Sequence, residues 1–264
     1  MGQAIGQARP PIAAAHLRTD AWWALPLTVV VVLGAFGAYS TWAAFQNAHY
    51  FAAPYLSPFY SPCLYRSCLH ATFGGGLPDI YLPIIGLLSP AFLILIGPLS
   101  FRLTCYYYRK AYYRSFWLSP PACAVAEPHG KYTGETRFPL IFQNIHRYAW
   151  YFAVIFAGIL TWDAVLGFDF DGRFGIGVGS LILLVNAVLI LGYTLGCHSC
   201  RHITAGRINN FSKHPVRYKL WGFVSKLNAK HMQWAWASLI WIVVADGYIR
   251  LVANGTFHDF HHVF

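Results

Sequence analysis

Apolar residues gather into five long runs along this chain of 264 residues. They are Trp22–Gln46, Ile80–Tyr107, Ile145–Phe168, Gly175–Cys197 and Met232–Val252. Each reaches the ~20 residues that a helix needs to cross the hydrocarbon core of a bilayer. The pattern predicts an all-α fold, a transmembrane bundle of five helices, in a domain spanning residues 22–257. A short N-terminal tail (1–21) and a C-terminal tail (258–264) flank it. The segment from Asn47 to Asp79 carries Pro54, Pro58, Pro62, Gly74–Gly76 and Pro78, too irregular for a helix throughout. Two further loops, Leu118–Asn144 and His202–Lys230, are longer than a connection between neighbouring helices needs. Span two contains Pro83, Pro90 and Pro98, which kink membrane helices where neighbours cover the freed backbone.

Composition agrees with the pattern. The chain is 57% hydrophobic and 11% charged, against about 25% charged in soluble domains, and its mean hydropathy is +0.44. The net charge is +10, and 16 of the 19 Lys and Arg fall on one side of the five spans. The positive-inside rule places the N-terminus and both long loops in the cytoplasm and the C-terminus outside, as expected of a multi-pass protein of an inner (plasma) membrane. Because this charge flanks membrane helices, it sets topology and argues against nucleic acid as a partner. The first apolar run is too long for a signal-peptide core, so no cleaved leader is expected.

The candidate chemistry lies at the inner ends of the spans. Cys105 ends span two, His146 begins span three, and Cys197, His198, Cys200 and His202 end span four. His231 begins span five, and Cys123 lies in the loop between spans two and three. Soft thiolate with imidazole suits iron–sulfur, zinc or copper, and imidazole alone suits heme. On an unbroken helix His198 and His202 share one face and Cys197 and Cys200 another. At most two of them can then hold one centre, unless the helix breaks at Gly196. Heme b needs two histidines facing across the bundle, such as His146 with His198 or His231. A Rieske-type 2Fe–2S cluster needs two cysteines on one iron and two histidines on the other. Zinc would be structural, and no zinc-ribbon spacing is present.

Other groups carry weaker signals. Cys63 and Cys68 lie on the opposite side from the remaining cysteines, and a small-loop disulfide is the expectation for them. Asp163 and Asp246, toward the outer ends, are helix caps or members of a proton path. Tyr106, Arg109, Trp234 and Trp236 offer flat walls and polar tips at the inner boundary, suited to a quinone ring. As a belt of interfacial aromatics they need no ligand. His258, Asp259, His261 and His262 read as an exposed tail.

Four stretches resemble a known family: CYYYRKAYYRSFWLSPPACAV, GETRFPLIFQNIHRY, GCHSCRH and LNAKHMQWAWASL. They look like the single, five-helix membrane anchor of a succinate dehydrogenase (respiratory complex II), and the resemblance runs from about Pro54 to Leu251. It implies a subunit that docks the iron–sulfur subunit, and through it the flavoprotein, on Tyr106–Phe138 and the second inner loop. Electrons from succinate would reduce a menaquinone or ubiquinone, while succinate oxidation itself lies in the flavoprotein. Many relatives use bis-histidine heme b. The extra inner-side cysteines are similar to the type in which a Rieske-like 2Fe–2S cluster replaces heme. The ligands carried over by position are Cys105, Cys123, Cys197, His146, His198, His202 and His231. A higher oligomer of the complex is compatible with this reading.

The same-family rival is a heme b anchor, also able to serve a fumarate reductase. A transporter or a purely structural membrane subunit is the rival from a different class. Transporters more often show repeats and broken helices meeting at mid-membrane, whereas the polar residues here gather near span ends.

Overall fold

The computed structural model describes residues 18–63, 91–128 and 135–264. Residues 1–17, Cys68, Arg66, Lys131 and the first part of the expected second span, with Pro83 and Pro90, lie outside the described residues.

Among the described residues four helices are long and apolar enough to cross a membrane. They are α1 (Ala24–Gln46), α4 (His146–Leu166, extended at its start by a 3-10 turn, Leu140–Ile145), α5 (Val178–Leu195) and α8 (His231–Ala253). The expected second span is described from Ala91 onward as α2 (Ala91–Thr104), an apolar helix with Pro98 inside it. Shorter helices lie beyond the spans: α3 (Tyr106–Phe116), α6 (His198–Ala205) and α7 (Pro215–Ala229).

Small side chains let these helices approach closely, as is usual in membranes. Ala149, Ala153 and Ala157 recur at four-residue spacing on the buried face of α4, which packs against α2 and α5. On α5, a Cβ at Gly192 would meet Trp234 Cδ2 at 2.7 Å. The indole therefore lies flat against bare backbone where α5 and α8 cross. That contact seats Trp234 in the α5–α8 interface, where it stays half-buried.

The far end of the bundle is closed by short strands. β1 (Phe51–Ala52) pairs with β2 (Tyr55–Leu56), and β3 (Asp169–Phe170), β4 (Arg173–Gly177) and β5 (His261–Val263) form a three-stranded antiparallel sheet. The last residues are thus a strand rather than the free tail expected, although His261 and His262 remain exposed. Asp259 pins this end, accepting hydrogen bonds from Tyr55 Oη (2.6 Å), Gly179 N (3.0 Å) and Tyr248 Oη. Tyr55 sits over Gly177 and Gly179, where any Cβ would clash.

Beneath the sheet lies a buried ion pair, Asp246 with Arg250 Nε at 2.7 Å. Asp246 also accepts from Tyr39 Oη (2.6 Å) and Ser57, and Arg250 donates to the carbonyls of Ala48 (2.9 Å) and Ala43 (3.0 Å). Every charged atom of the pair has a protein partner, which makes Asp246 a structural group rather than a helix cap. Asp163 accepts from Ser61 Oγ, also in the interior. Cys63 is disulfide-bonded, and the partner expected for it, Cys68, falls outside the described residues.

Candidate thiol–imidazole site

Two membrane helices stop short at a cysteine. Helix α2 ends at Thr104, and Cys105 takes an extended conformation (φ −67°, ψ 132°) as the residue before α3. Helix α5 ends at Leu195, and Cys197 (φ −67°, ψ 146°) stands in the same place before α6. The expected spans Ile80–Tyr107 and Gly175–Cys197 therefore end earlier than their apolar runs. The break also resets the helical phase, so the pairing of Cys197 with Cys200 on one face does not apply.

Two other membrane helices begin at a histidine, α4 at His146 and α8 at His231. The four ends converge. His146 Nε2 lies 3.2 Å from Cys197 Sγ, and His231 Nε2 lies 3.8 Å from Cys105 Sγ. Both thiols and His231 are buried, while His146 is half-buried. Cys105, Tyr106, Arg109, His146, His198 and His231 line a cavity of about 370 Å³.

Each imidazole is held by what surrounds it. The His146 ring stacks on Phe101 (4.9 Å, 5°) and its Nδ1 meets Thr104 Oγ1 at 2.8 Å. The His231 ring stacks on Tyr193 (5.1 Å, 10°), and its Nδ1 is buried without a protein partner. The Cys197 thiol accepts the Ser199 N–H at 3.4 Å, yet burial dominates and pushes it up to about 12. Burial likewise raises Cys200 and lowers His198. A thiol so shielded stays protonated at neutral pH unless a cation reaches it, and a coordinating metal deprotonates a thiol outright.

Of the remaining expected ligands, His198 borders the cavity, while His202 and Cys123 are placed elsewhere. His198 is exposed on the rim, its ring 6.1 Å from that of His231 and its Nδ1 3.4 Å from Asn228 Nδ2. His202 lies against Gly206 on α6, outside the cavity lining. Cys123 is exposed in the segment between α3 and α4, where its carbonyl accepts from Arg18 at 2.5 Å.

Of the four residues expected at a quinone, Tyr106 and Arg109 line the cavity, and Arg109 forms an ion pair with Glu135. Trp236 packs edge-on to Tyr108 at 5.5 Å. A larger groove of about 770 Å³ opens beside the site, walled by α1, α2, α3 and α8. Its lining is apolar apart from a few polar groups that include Arg102, Tyr108 and Gln143. Arg102 donates to Tyr108 Oη (2.6 Å) and Ser238 Oγ (3.2 Å). Among the described residues it has no carboxylate partner. Its guanidinium lies 5.0 Å from the Tyr193 ring, which also stacks on His231. One aromatic ring therefore separates the groove's cation from the thiol–imidazole site. The sequence held a signal for Arg102, since a cation inside a span is usually functional, but it reads there only as topological charge. Phe101, Thr104 and Tyr193 carry no signal of their own.

An integral, multi-pass helical protein with a thiol–imidazole site at one end of its bundle is the class that fold and site define. The family model for the actinobacterial succinate dehydrogenase subunit SdhC matches residues 24–255. The chain belongs to that family and is a membrane subunit of a succinate dehydrogenase complex. It is similar to a chain in a structure of the Mycobacterium smegmatis Sdh1 complex in the apo form. The two share 51% identity, with a TM-score of 0.82 over 96% of this chain and 94% of that one. No curated protein matches it. The family displaces the transporter reading.

Proposed function

We propose that this subunit relays electrons to a quinone through a Rieske-type 2Fe–2S cluster held by Cys105, Cys197, His146 and His231. The observation that carries the reading is the pairing of two buried thiols with two imidazole Nε2 atoms, at 3.2 and 3.8 Å, with Cys105 and both histidines lining one cavity and Cys197 behind His146. Two cysteines and two histidines are the donor set such a cluster takes, and His231 Nδ1, buried and unpartnered, is the kind of atom a bound group orients. When bound, the cluster supplies one-electron transfer at a potential above that of all-thiolate clusters. The chain's own residues fix the donors: Thr104 holds the His146 ring from behind, and Phe101 and Tyr193 clamp the two ring planes. Bis-histidine heme fits less well, because each Nε2 faces a sulfur rather than the other histidine across open space.

The 770 Å³ groove suits the quinone, its apolar walls taking the prenyl chain and Arg102, oriented by Tyr108, presenting a donor to a ring carbonyl. Reduction to the quinol consumes two electrons and two protons. The basic surface at this end favours a cytoplasmic orientation, with the iron–sulfur and flavoprotein subunits of the complex on that side.

The test is a pair of optical and EPR spectra of the purified complex, oxidised and dithionite-reduced, against a preparation lacking this subunit. A Rieske-like signal that depends on this subunit, without a reduced b-type band, supports the cluster. A b-type band that vanishes with His146→Ala or His231→Ala overturns it in favour of heme.

A further inference from the structure

Helix α7 presents two unlike faces. Arg217, Trp221, Val224 and Asn228 recur at helical spacing on the face turned toward α6, with Val224 buried, Trp221 and Asn228 half-buried and Arg217 reaching over from the exposed end. Arg217 Nε donates to the Thr204 carbonyl at 2.8 Å, Trp221 lies under the Arg201 guanidinium at 4.8 Å, and Asn228 Nδ2 donates to the Gly196 carbonyl at 2.8 Å. A second stripe, Val216, Leu220 and Phe223, lies roughly 100° around the helix. It is bare: these side chains are 69%, 52% and 55% exposed. Lys219 and Lys226 fall on the shoulder of this stripe away from the packed face. From Arg201 to Lys230 the chain carries seven Lys and Arg and no Asp or Glu.

The helix is also fixed in depth. Asn228 ties its last turn to Gly196, just past the end of α5, and Lys230 alone separates α7 from α8. Its C-terminal turn therefore sits where two spans leave the membrane. An apolar stripe with lysines on one shoulder is the pattern of a helix lying in the headgroup layer, its lysine stems over acyl chains and their ammonium groups among phosphates. Protein interface cores, by contrast, are depleted in Lys, and anionic membrane surfaces attract it.

We infer that α7 is an interfacial helix seated on anionic phospholipid, with Val216, Leu220 and Phe223 among the acyl chains and Lys219 and Lys226 at the phosphates. A nitroxide placed by Phe223→Cys, in a Cys123→Ser background, tests this in the intact complex. The complex is held in discs of phosphatidylcholine alone or of phosphatidylcholine with phosphatidylglycerol. The expected result is that oxygen reaches the label while a water-soluble nickel chelate does not, and that this exclusion strengthens with phosphatidylglycerol. Lys219→Gln with Lys226→Gln should remove that lipid dependence, each lysine being worth about fivefold in affinity for the anionic surface. Free access of the nickel chelate in both discs overturns the inference. So does shielding from both reagents, which would place a partner subunit on the stripe, or equal exclusion in both discs. A label at Leu220→Cys repeats the measurement should the Phe223 variant fail to assemble.

Discussion

Cys105 and Cys197 hold the same backbone position, each the extended residue between the end of a membrane helix and the first turn of a shorter one. His146 and His231 are equivalent in turn, each the first residue of a membrane helix. The cysteine at one helix end meets the histidine at another helix start, twice over. Helix ends are fixed by the whole bundle, so the four donors sit on a rigid frame rather than on a loop.

Removing either histidine should therefore stop electron transfer without dismantling the protein. His146→Ala and His231→Ala are each expected to lower succinate:quinone activity by at least about 100-fold, beyond the usual effect of losing an outer partner of a metal site. Dye reduction by the soluble subunits should persist, and the complex should still co-purify. Unchanged quinone reduction in either variant would remove that residue from the site.

Thr104→Val deletes the hydroxyl behind His146 and keeps the shape. Its expected effect is smaller, roughly tenfold in occupancy of the site, read as iron per complex. His202→Ala and Cys123→Ala should leave iron content as in the parent protein.

The polar knot at the far end is structural, and Asp246→Asn tests that. The substitution leaves the buried Arg250 guanidinium without its carboxylate, which costs about 3–5 kcal/mol when a buried pair is broken. A lowered thermal midpoint with an unchanged quinone-reduction rate in the surviving complex is expected. A normal midpoint with slowed turnover would instead place Asp246 on a proton path.

Tyr55 gives the pH dependence a sign. Burial, followed by its hydrogen bond to Asp259, raises its pKa above the ordinary 10. A group whose pKa is raised on folding contributes stability that is complete below the unfolded value and is lost as pH climbs toward the folded one. The thermal midpoint should hold up to about pH 10 and fall above it. Tyr55→Phe should be less stable at neutral pH and show a shallower alkaline fall.

The spans were legible because hydrophobic length is a local property of sequence. Four helices begin and end within a few residues of their apolar runs, and Cys105, Cys197, His146 and His231 gather at one end of the bundle. What was not legible was where two helices break. An apolar run continues through Cys105 and Cys197, and only Gly196 hints at an interruption. With the break goes the phase, so the face shared by Cys197 and Cys200 on an unbroken helix is lost where the chain turns at Cys197. The Cys–His pairs join residues 51 and 126 positions apart, beyond any spacing motif. The strand at the C-terminus was missed because a short polar segment becomes a strand only when β4 offers it an edge.

The bond between Arg250 and the carbonyls of Ala43 and Ala48 has a consequence for how the protein is made. Helix α8 carries a buried charge whose acceptors lie on and just beyond α1, some 200 residues earlier in the chain. Until α8 arrives, the Ala48 carbonyl and the Tyr39 hydroxyl lack these partners; until α1 is reached, Arg250 has only its own helix's aspartate. Biogenesis is thereby given an order: α1, made early, settles fully only once α8 has been made and has reached it in the bilayer.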